Sequence, residues 1–378
     1  MTMPARAAVL VDATAGARPE RSGVGRYVHN LLAALAALPD LPRLALGVRS
    51  GKWRHRCHLP TELFAPPPPV RRLLDWIDRF GMRSIDLVHG LDVRLPPNRR
   101  VTRVATLHDL FSLERDDLAP PSFREKRIAQ YCALADAADR VICVSAATEA
   151  GFLRHFPAAR GRTCVVHHGV EPRFRRADAA AIAELRARRH LPPRYLLFVG
   201  LLSTRKNLLY LLEAFRVLAE RHADLHLVLA GRPSFGFERI EESLARHPQR
   251  ARIVLPGFVA DDDLPALYSG AECFVFPSVL EGFGLPVLES FACGTPVVAS
   301  ALPVLEEIGG GELALVAGDA PEQFAAALER QLAQPCDPPR RARLVAQAAR
   351  FTWSAAAQAT VAAWDAAHRA RTGRALRG

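Results

Sequence analysis

Residues 277–300 read PSVLEGFGLPVLESFACGTPVVAS, and in them a strand, a glycine turn and a helix follow one another. The run just before, AECFVFP (271–277), is short and apolar, as a buried strand is. Gly282-Phe283-Gly284 opens a turn, and Pro286 suits the first turn of a helix, where a missing N–H costs nothing. The amides of Phe283, Gly284 and Leu285 then fall at a helix N-terminus, where peptide dipoles favour a phosphate. Glu281 and Glu289 bracket the turn. Ionised carboxylates only accept hydrogen bonds, so they suit hydroxyls, and a nucleotide diphosphate sugar carries hydroxyls on both sides of its phosphates. A purely structural reading uses the same residues, because a Gly/Pro turn joins strand to helix in many α/β proteins and acids near a helix start favour its dipole.

Outward from this stretch the chain alternates apolar strands with amphipathic helices. AAVLVD, RLALGV, IDLVHG, RVATLHD, RVICVS and TCVVHHG occupy the first half; YLLFVG, LHLVLAG, RIVLPG, CFVFP and TPVVAS occupy the second. Strands without polar alternation, separated by helices, imply parallel sheets covered on both faces. At 378 residues two domains are expected. The reading is an α/β chain with two doubly wound, Rossmann-like domains facing across a cleft, at 1–175 and 190–352. A helix over 353–378 returns to the first. Residues 59–69, with four consecutive prolines, read as a loop with no assigned function.

Three further turns carry chemistry-bearing residues. Arg205 and Lys206 follow the strand YLLFVG, where ligands collect in open α/β sheets, and two adjacent cations can neutralise a leaving diphosphate. Lys206 is one of only three lysines among 50 basic residues. A solvated basic pair is the structural alternative, and Asn207 is expected to cap the next helix. Gly23 and Gly25, in RSGVGRY, open a helix and allow close backbone approach to a phosphate or sugar, with Arg26 adding charge. His108-Asp109 follow the strand RVATL at another carboxyl edge. Ser145 and the triplet Asp261-Asp262-Asp263 read as helix caps.

The wording EGFGLPVLE…ACGTPVVAS resembles the signature of retaining glycosyltransferases of the two-Rossmann-domain (GT-B) type, glycosyltransferase family 4. R-K-N, G-V-G-R-Y and His-Asp match further family segments, and the final FTWSAAAQATVAAWDAAHRA resembles the family's crossing helix. The resemblance implies donor-sugar contacts from His108, Glu281 and Gly282, with His108, Asp109 and Glu281 as the catalytic set. It implies nucleotide ribose on Glu289, and donor phosphates on Gly23, Gly25, Arg205, Lys206, Phe283, Gly284 and Leu285. HHGVEPRF (167–174) departs from the family's usual Asn-Gly-Val-Asp, with His168 and Glu171 in the changed places.

The expected activity is transfer of a hexose, mannose or a related sugar, from a nucleotide diphosphate sugar to a hydroxyl of a glycan or lipid-linked acceptor. GDP-mannose leads the donors because the His-Asp and R-K-N forms resemble bacterial mannosyl- and rhamnosyl-transferring members. No cofactor or metal is expected, since the sugar nucleotide is a substrate and no Asp-x-Asp motif sits at a strand end. The rivals are a nucleotide-sugar epimerase on the same scaffold and a non-catalytic sugar-nucleotide-binding protein.

Composition sets the surroundings. Residues 1–180 carry 28 Lys and Arg against 18 Asp and Glu, while residues 181–378 carry 22 against 21. A basic first half suits an anionic membrane surface or a lipid-diphosphate acceptor, with a solvated arginine-rich surface as the alternative. No nucleic-acid-binding pattern is present. No apolar run approaches the ~20 residues of a membrane span. Seven cysteines, never spaced C-x-x-C, read as free thiols. A cytoplasmic protein, at most peripheral on the inner membrane face, is the expectation.

Overall fold

The apolar strands form two all-parallel sheets in the computed structural model, which describes residues 8–18, 22–73, 85–95, 100–334 and 336–376. The first sheet holds β1 (Ala8–Asp12), β2 (Arg43–Arg49), β3 (Val70–Leu73), β4 (Leu87–Gly90), β5 (Thr102–Leu107), β6 (Arg140–Cys143) and β7 (Thr163–Val165). Its order is β3-β2-β1-β4-β5-β6-β7. The second holds β8 (Tyr195–Val199), β9 (His226–Ala230), β10 (Ile253–Gly257), β11 (Cys273–Phe276), β12 (Val297–Ser300) and β13 (Ala314–Val316), in the order β10-β9-β8-β11-β12-β13. Both orders reverse direction beside the unit's first strand, between β1 and β4 and again between β8 and β11. Such a switch point leaves a crevice beyond the carboxyl ends of those strands.

Two units emerge from the internal contacts. The first comprises Met1–Leu113, Ser122–Gly169 and Thr352–Gly378, and the second Glu114–Pro121 and Val170–Phe351. The first long stretch therefore ends at 169 rather than 175. The helix Ala179–Arg189, which lies between the two expected domains, packs in the second unit against the helix Leu264–Ser269.

The last helix, Trp353–Thr372, belongs to the first unit. Thr352 caps it, its hydroxyl accepting from the Ala355 amide at 3.1 Å. Its apolar face, with Trp353, Ala357, Val361 and Trp364, joins the core that also takes Val28, Leu31 and Leu35 from the helix Gly23–Ala36. The chain passes so close to Gly169 that a Cβ there would lie 2.1 Å from the Trp353 backbone nitrogen, so no larger residue fits. All seven cysteines are free thiols.

Local expectations failed at the edge strands, at Asn207 and at Asp263, while the proline-rich segment is a loop as expected. The edge strands β3 and β13 are additional to the strands read from sequence. The proline-rich loop is anchored by Leu59 and Phe64, which are buried in the first core. Asn207 precedes the helix Leu208–Ala219 in a left-handed conformation (φ 54°) without capping it through its side chain. Asp263 does not cap the helix Leu264–Ser269 either; it pairs with Arg188 at 2.7 Å, and Asp262 pairs with Arg173 at 3.0 Å. Long arginines nearby outcompete the backbone amides for these carboxylates. Ser145 does cap its helix, accepting from the Thr148 amide at 3.0 Å.

Trp364 is fully buried. Trp364→Ala is expected to cost about 3–5 kcal/mol. Amide exchange should accelerate in β1, β4 and β5 and stay slow in β8–β12. Acceleration spread equally over both sheets would contradict this division of the chain.

Candidate active site

The second unit's site grows from its switch point. After β8 the chain turns through Gly200 into a 3-10 turn, Thr204–Lys206, which brings Arg205 and Lys206 to the carboxyl edge. After β11, the neighbouring strand, it runs through Leu280 to Glu281. The two loops are tied directly, with the Val279 amide donating to the Arg205 carbonyl at 3.1 Å and the Arg205 guanidinium donating to the Leu280 carbonyl at 3.1 Å. Strand adjacency thus joins residues 75 and 76 apart in sequence: Lys206 Nζ lies 2.5 Å from Glu281 Oε1, and Arg205 lies 3.1 Å from Oε2.

This triad is mostly shielded from solvent, the Lys206 and Glu281 side chains being 8% and 10% exposed. Burial pushes the Glu281 carboxyl up, but Arg205 and Lys206 together outweigh it and hold the group down to about 2. Lys206 Nζ also sits 4.8 Å from the centroid of the Phe276 ring, on β11. Two cations thus share one carboxylate at the crevice. The sequence reading gave the cations and Glu281 separate tasks; the structure makes them one cluster.

Beside it lies the turn Gly282–Gly284, which enters the helix Leu285–Ala292. Gly284 adopts φ 105°, and a Cβ there would meet Leu305 at 2.8 Å, so only glycine can make this entry. The helix end has no side-chain cap and carries Pro286 in its first turn. Phe283 is buried, its ring edge-on to Phe351 at 6.0 Å. Glu289, one turn into that helix, is 1% exposed and accepts a hydrogen bond from the Tyr268 hydroxyl at 3.0 Å. Tyr268 carried no sequence signal; it comes from the short helix Leu264–Ser269.

In the first unit Gly23 and Gly25 lie within the first turn of the helix Gly23–Ala36. The Gly25 amide is occupied by the Ser22 hydroxyl at 3.2 Å. That amide therefore serves a cap, and a phosphate role for Gly25 has to come from close approach instead. His108 follows β5, and its Nε2 lies 2.9 Å from the Leu91 carbonyl, just past β4. A carbonyl only accepts, so Nε2 carries the proton. Burial lowers the His108 pKa, only partly offset by Asp92 and the Leu91 carbonyl, so the ring is neutral at pH 7. Asp92 pairs with Arg127 at 2.9 Å, and half-buried Asp109 adds negative potential at Arg127 and Tyr131. Tyr27 packs edge-on to the His108 ring at 4.7 Å, and His168 sits 5.6 Å from it.

Residues 183–351 match the family model for glycosyl transferases group 1, and residues 21–174 match that for glycosyltransferase family 4. O-antigen chain mannosyltransferase B of Escherichia coli is 30% identical over 74% of this chain and 74% of its own length. The serotype-specific mannosyltransferase WbdA of Escherichia coli is 30% identical over 66% of this chain but 32% of its own length, so the chain spans about a third of that relative. Among solved structures, sucrose-phosphate synthase of Thermosynechococcus elongatus superposes with a TM-score of 0.73 at 21% identity, covering 97% of this chain and 100% of that one. Anabaena HepE, solved with UDP and glucose, gives 0.70 at 18%, covering 95% and 99%. The chain belongs to glycosyltransferase family 4, and its fold is GT-B.

The depressed carboxyl of Glu281 makes the triad's contribution to stability depend on pH. It is complete above the ordinary value of 4.5 and is lost as pH falls from there towards about 2. Glu281→Gln should lower the urea midpoint at pH 7, and its gap from the wild type should narrow as pH falls below 4.5. A gap that stays constant between pH 7 and pH 3 would show that no ionised Glu281 supports the fold.

Proposed function

We propose that this chain moves a hexose, mannose or a close relative, from a nucleotide diphosphate sugar to a hydroxyl of a glycan or lipid-linked acceptor, with retention and without metal. The observation that carries the reading is the Lys206–Glu281–Arg205 cluster, placed at a switch point beside the helix entry at Gly284. GDP-mannose leads the donors because the E. coli relatives are named as mannosyltransferases.

In this reading the diphosphate binds Arg205 and Lys206 and draws on the dipole of the helix Leu285–Ala292. Lys206 and Arg205 stabilise the charge that grows on the leaving phosphate oxygen as the bond to the sugar breaks. That oxygen takes the acceptor's proton on the same face. Sites shielded from water make such stabilisation worth several kcal/mol. Glu281, turned from its cations by the incoming anion, accepts from donor-sugar hydroxyls, with the Gly282 backbone beside it. Glu289, its rotamer held by Tyr268, accepts from the ribose. His108, neutral and donating through Nε2 to Leu91, presents Nδ1 as an acceptor for a sugar hydroxyl. Stabilisation of the developing charge then rests on Arg205 and Lys206. Asp109 orients the acceptor side. Among the described residues no group of three or more His, Cys, Asp or Glu could hold a metal ion, and the two cations supply the neutralisation a metal would otherwise give.

A membrane contact through the first unit belongs to the same proposal. The 3-10 segment Ser50–His58, SGKWRHRCH, has no acid, and Arg54, Arg56 and His58 are exposed on it. Arg56 stacks over Trp53 at 4.7 Å. No described helix is long and apolar enough to cross a membrane. Basic side chains near an anionic surface contribute about 1 kcal/mol each.

Calorimetry with GDP-mannose, UDP-glucose and UDP-galactose, followed by turnover of whichever binds, tests the donor. Lys206→Ala should lower kcat by about 100- to 1,000-fold. Unchanged turnover in Lys206→Ala would remove the site. Binding without turnover in the presence of mannose-terminated acceptors would favour a binding protein, and donor interconversion without acceptor would favour an epimerase. Sedimentation with phosphatidylglycerol vesicles should exceed that with phosphatidylcholine and fall in Arg54→Glu/Arg56→Glu. Equal sedimentation with both lipids would end the membrane reading.

A further inference from the structure

The first unit holds a chain of buried polar side chains that no step above uses. Trp364, on the last helix, donates through Nε1 to His89 Nδ1 at 3.0 Å. His89 Nε2, on β4, lies 3.0 Å from the Thr106 hydroxyl on β5, which lies 3.0 Å from the Tyr27 hydroxyl. His89, Thr106 and Trp364 are each 0% exposed, and Tyr27 is 4% exposed.

The chemistry of the ends sets the direction of this chain. An indole N–H can only donate, so His89 Nδ1 must be the acceptor and Nε2 must carry the proton. Thr106 then accepts from His89 and keeps its own proton and a lone pair for Tyr27. Burial lowers the His89 pKa to about 3, so the ring stays neutral and this tautomer persists at any working pH. Such a network could simply satisfy a polar core. Its far end argues for more, since the Tyr27 ring lies 4.7 Å from His108 at 77° and 4.8 Å from His168. Among the described residues the His108 ring hydrogen-bonds the Leu91 carbonyl alone, which leaves rotation about that contact to be limited by packing. Tyr27 provides that packing, and its hydroxyl is fixed from Trp364.

We propose that Trp364, His89, Thr106 and Tyr27 act as a linked set of positioning residues that hold the His108 ring at the angle the transfer step needs. The inference rests on the reading of His108 as a donor-sugar contact. A buried partner removed from such a chain leaves its neighbour unsatisfied, and the neighbour shifts. Trp364→Phe removes the N–H together with part of the buried ring and lets His89 change tautomer, while the Tyr27→Phe and Thr106→Val changes probe the same chain without that loss of volume. Tyr27→Phe deletes only the hydroxyl.

The test uses the full chain and the donor of the panel above that gives the highest kcat. Tyr27→Phe, Trp364→Phe and Thr106→Val should each lower kcat by about tenfold with donor KM little changed, whereas Thr106→Ser should keep wild-type kcat. In a His108→Ala background the Trp364→Phe loss should vanish, because both changes act through one ring. Nitrogen-15 NMR should show His89 with an unprotonated Nδ1 in the wild type, and a changed signal in Trp364→Phe. If His108→Ala lowers kcat but Tyr27→Phe and Trp364→Phe do not, positioning is wrong while the His108 reading stands. Full additivity with His108→Ala, or a His89 proton on Nδ1, would also overturn positioning. If His108→Ala turns over normally, the reading of His108 fails and the inference falls with it.

Discussion

Lys206, Arg205 and Glu281 form a cluster of three charges with little access to water, and the second unit's chemistry depends on how that cluster is held. Burying charges is costly unless each finds a partner, and removing one partner strands the others. The cluster exists because β8 and β11 are neighbours at a switch point, so loops distant in sequence leave the sheet side by side. It lies close to a helix end whose entry only glycine can make. Glu281 does there what an anion would do, occupying two cations at once. In the proposed reading an incoming diphosphate meets cations already placed, and its binding exchanges one set of ionic contacts for another.

The first unit solves a different problem. His89 and His108 are neutral because burial disfavours their charged forms, and burial would leave their ring nitrogens costly unless hydrogen-bonded. Leu91 serves His108, while Trp364 and Thr106 serve His89. The last helix therefore does more than cover apolar surface: it brings the indole donor that sets a tautomer on β4. The charged cluster and the neutral hydrogen-bonded histidines thus lie on different sheets, of seven and six strands.

Much of this was legible in the chain. Strands buried on both faces, such as β5, β8 and β11, announce themselves as unbroken apolar runs. The glycine turn at 282–284 and the basic pair at 205–206 fall at strand ends, where ligands gather. The edge strands β3 and β13 were not legible, because a strand paired on one side only needs neither length nor continuous hydrophobicity, and VRRL at 70–73 has neither. Asn207 and Asp263 look like caps by residue type, yet one takes a left-handed conformation and the other is claimed by arginines from the helix Ala179–Arg189. Tyr268 and the Trp364–His89–Thr106–Tyr27 chain depend on contacts across up to 275 residues, which no local pattern encodes.

The central claim is that the cations gathered around Glu281 grip a diphosphate. A crystal structure of the complex with GDP examines it most directly. The account predicts the β-phosphate within about 3 Å of Lys206 Nζ and the ribose hydroxyls on Glu289. A diphosphate bound elsewhere, with the Lys206–Glu281 contact undisturbed, would contradict it.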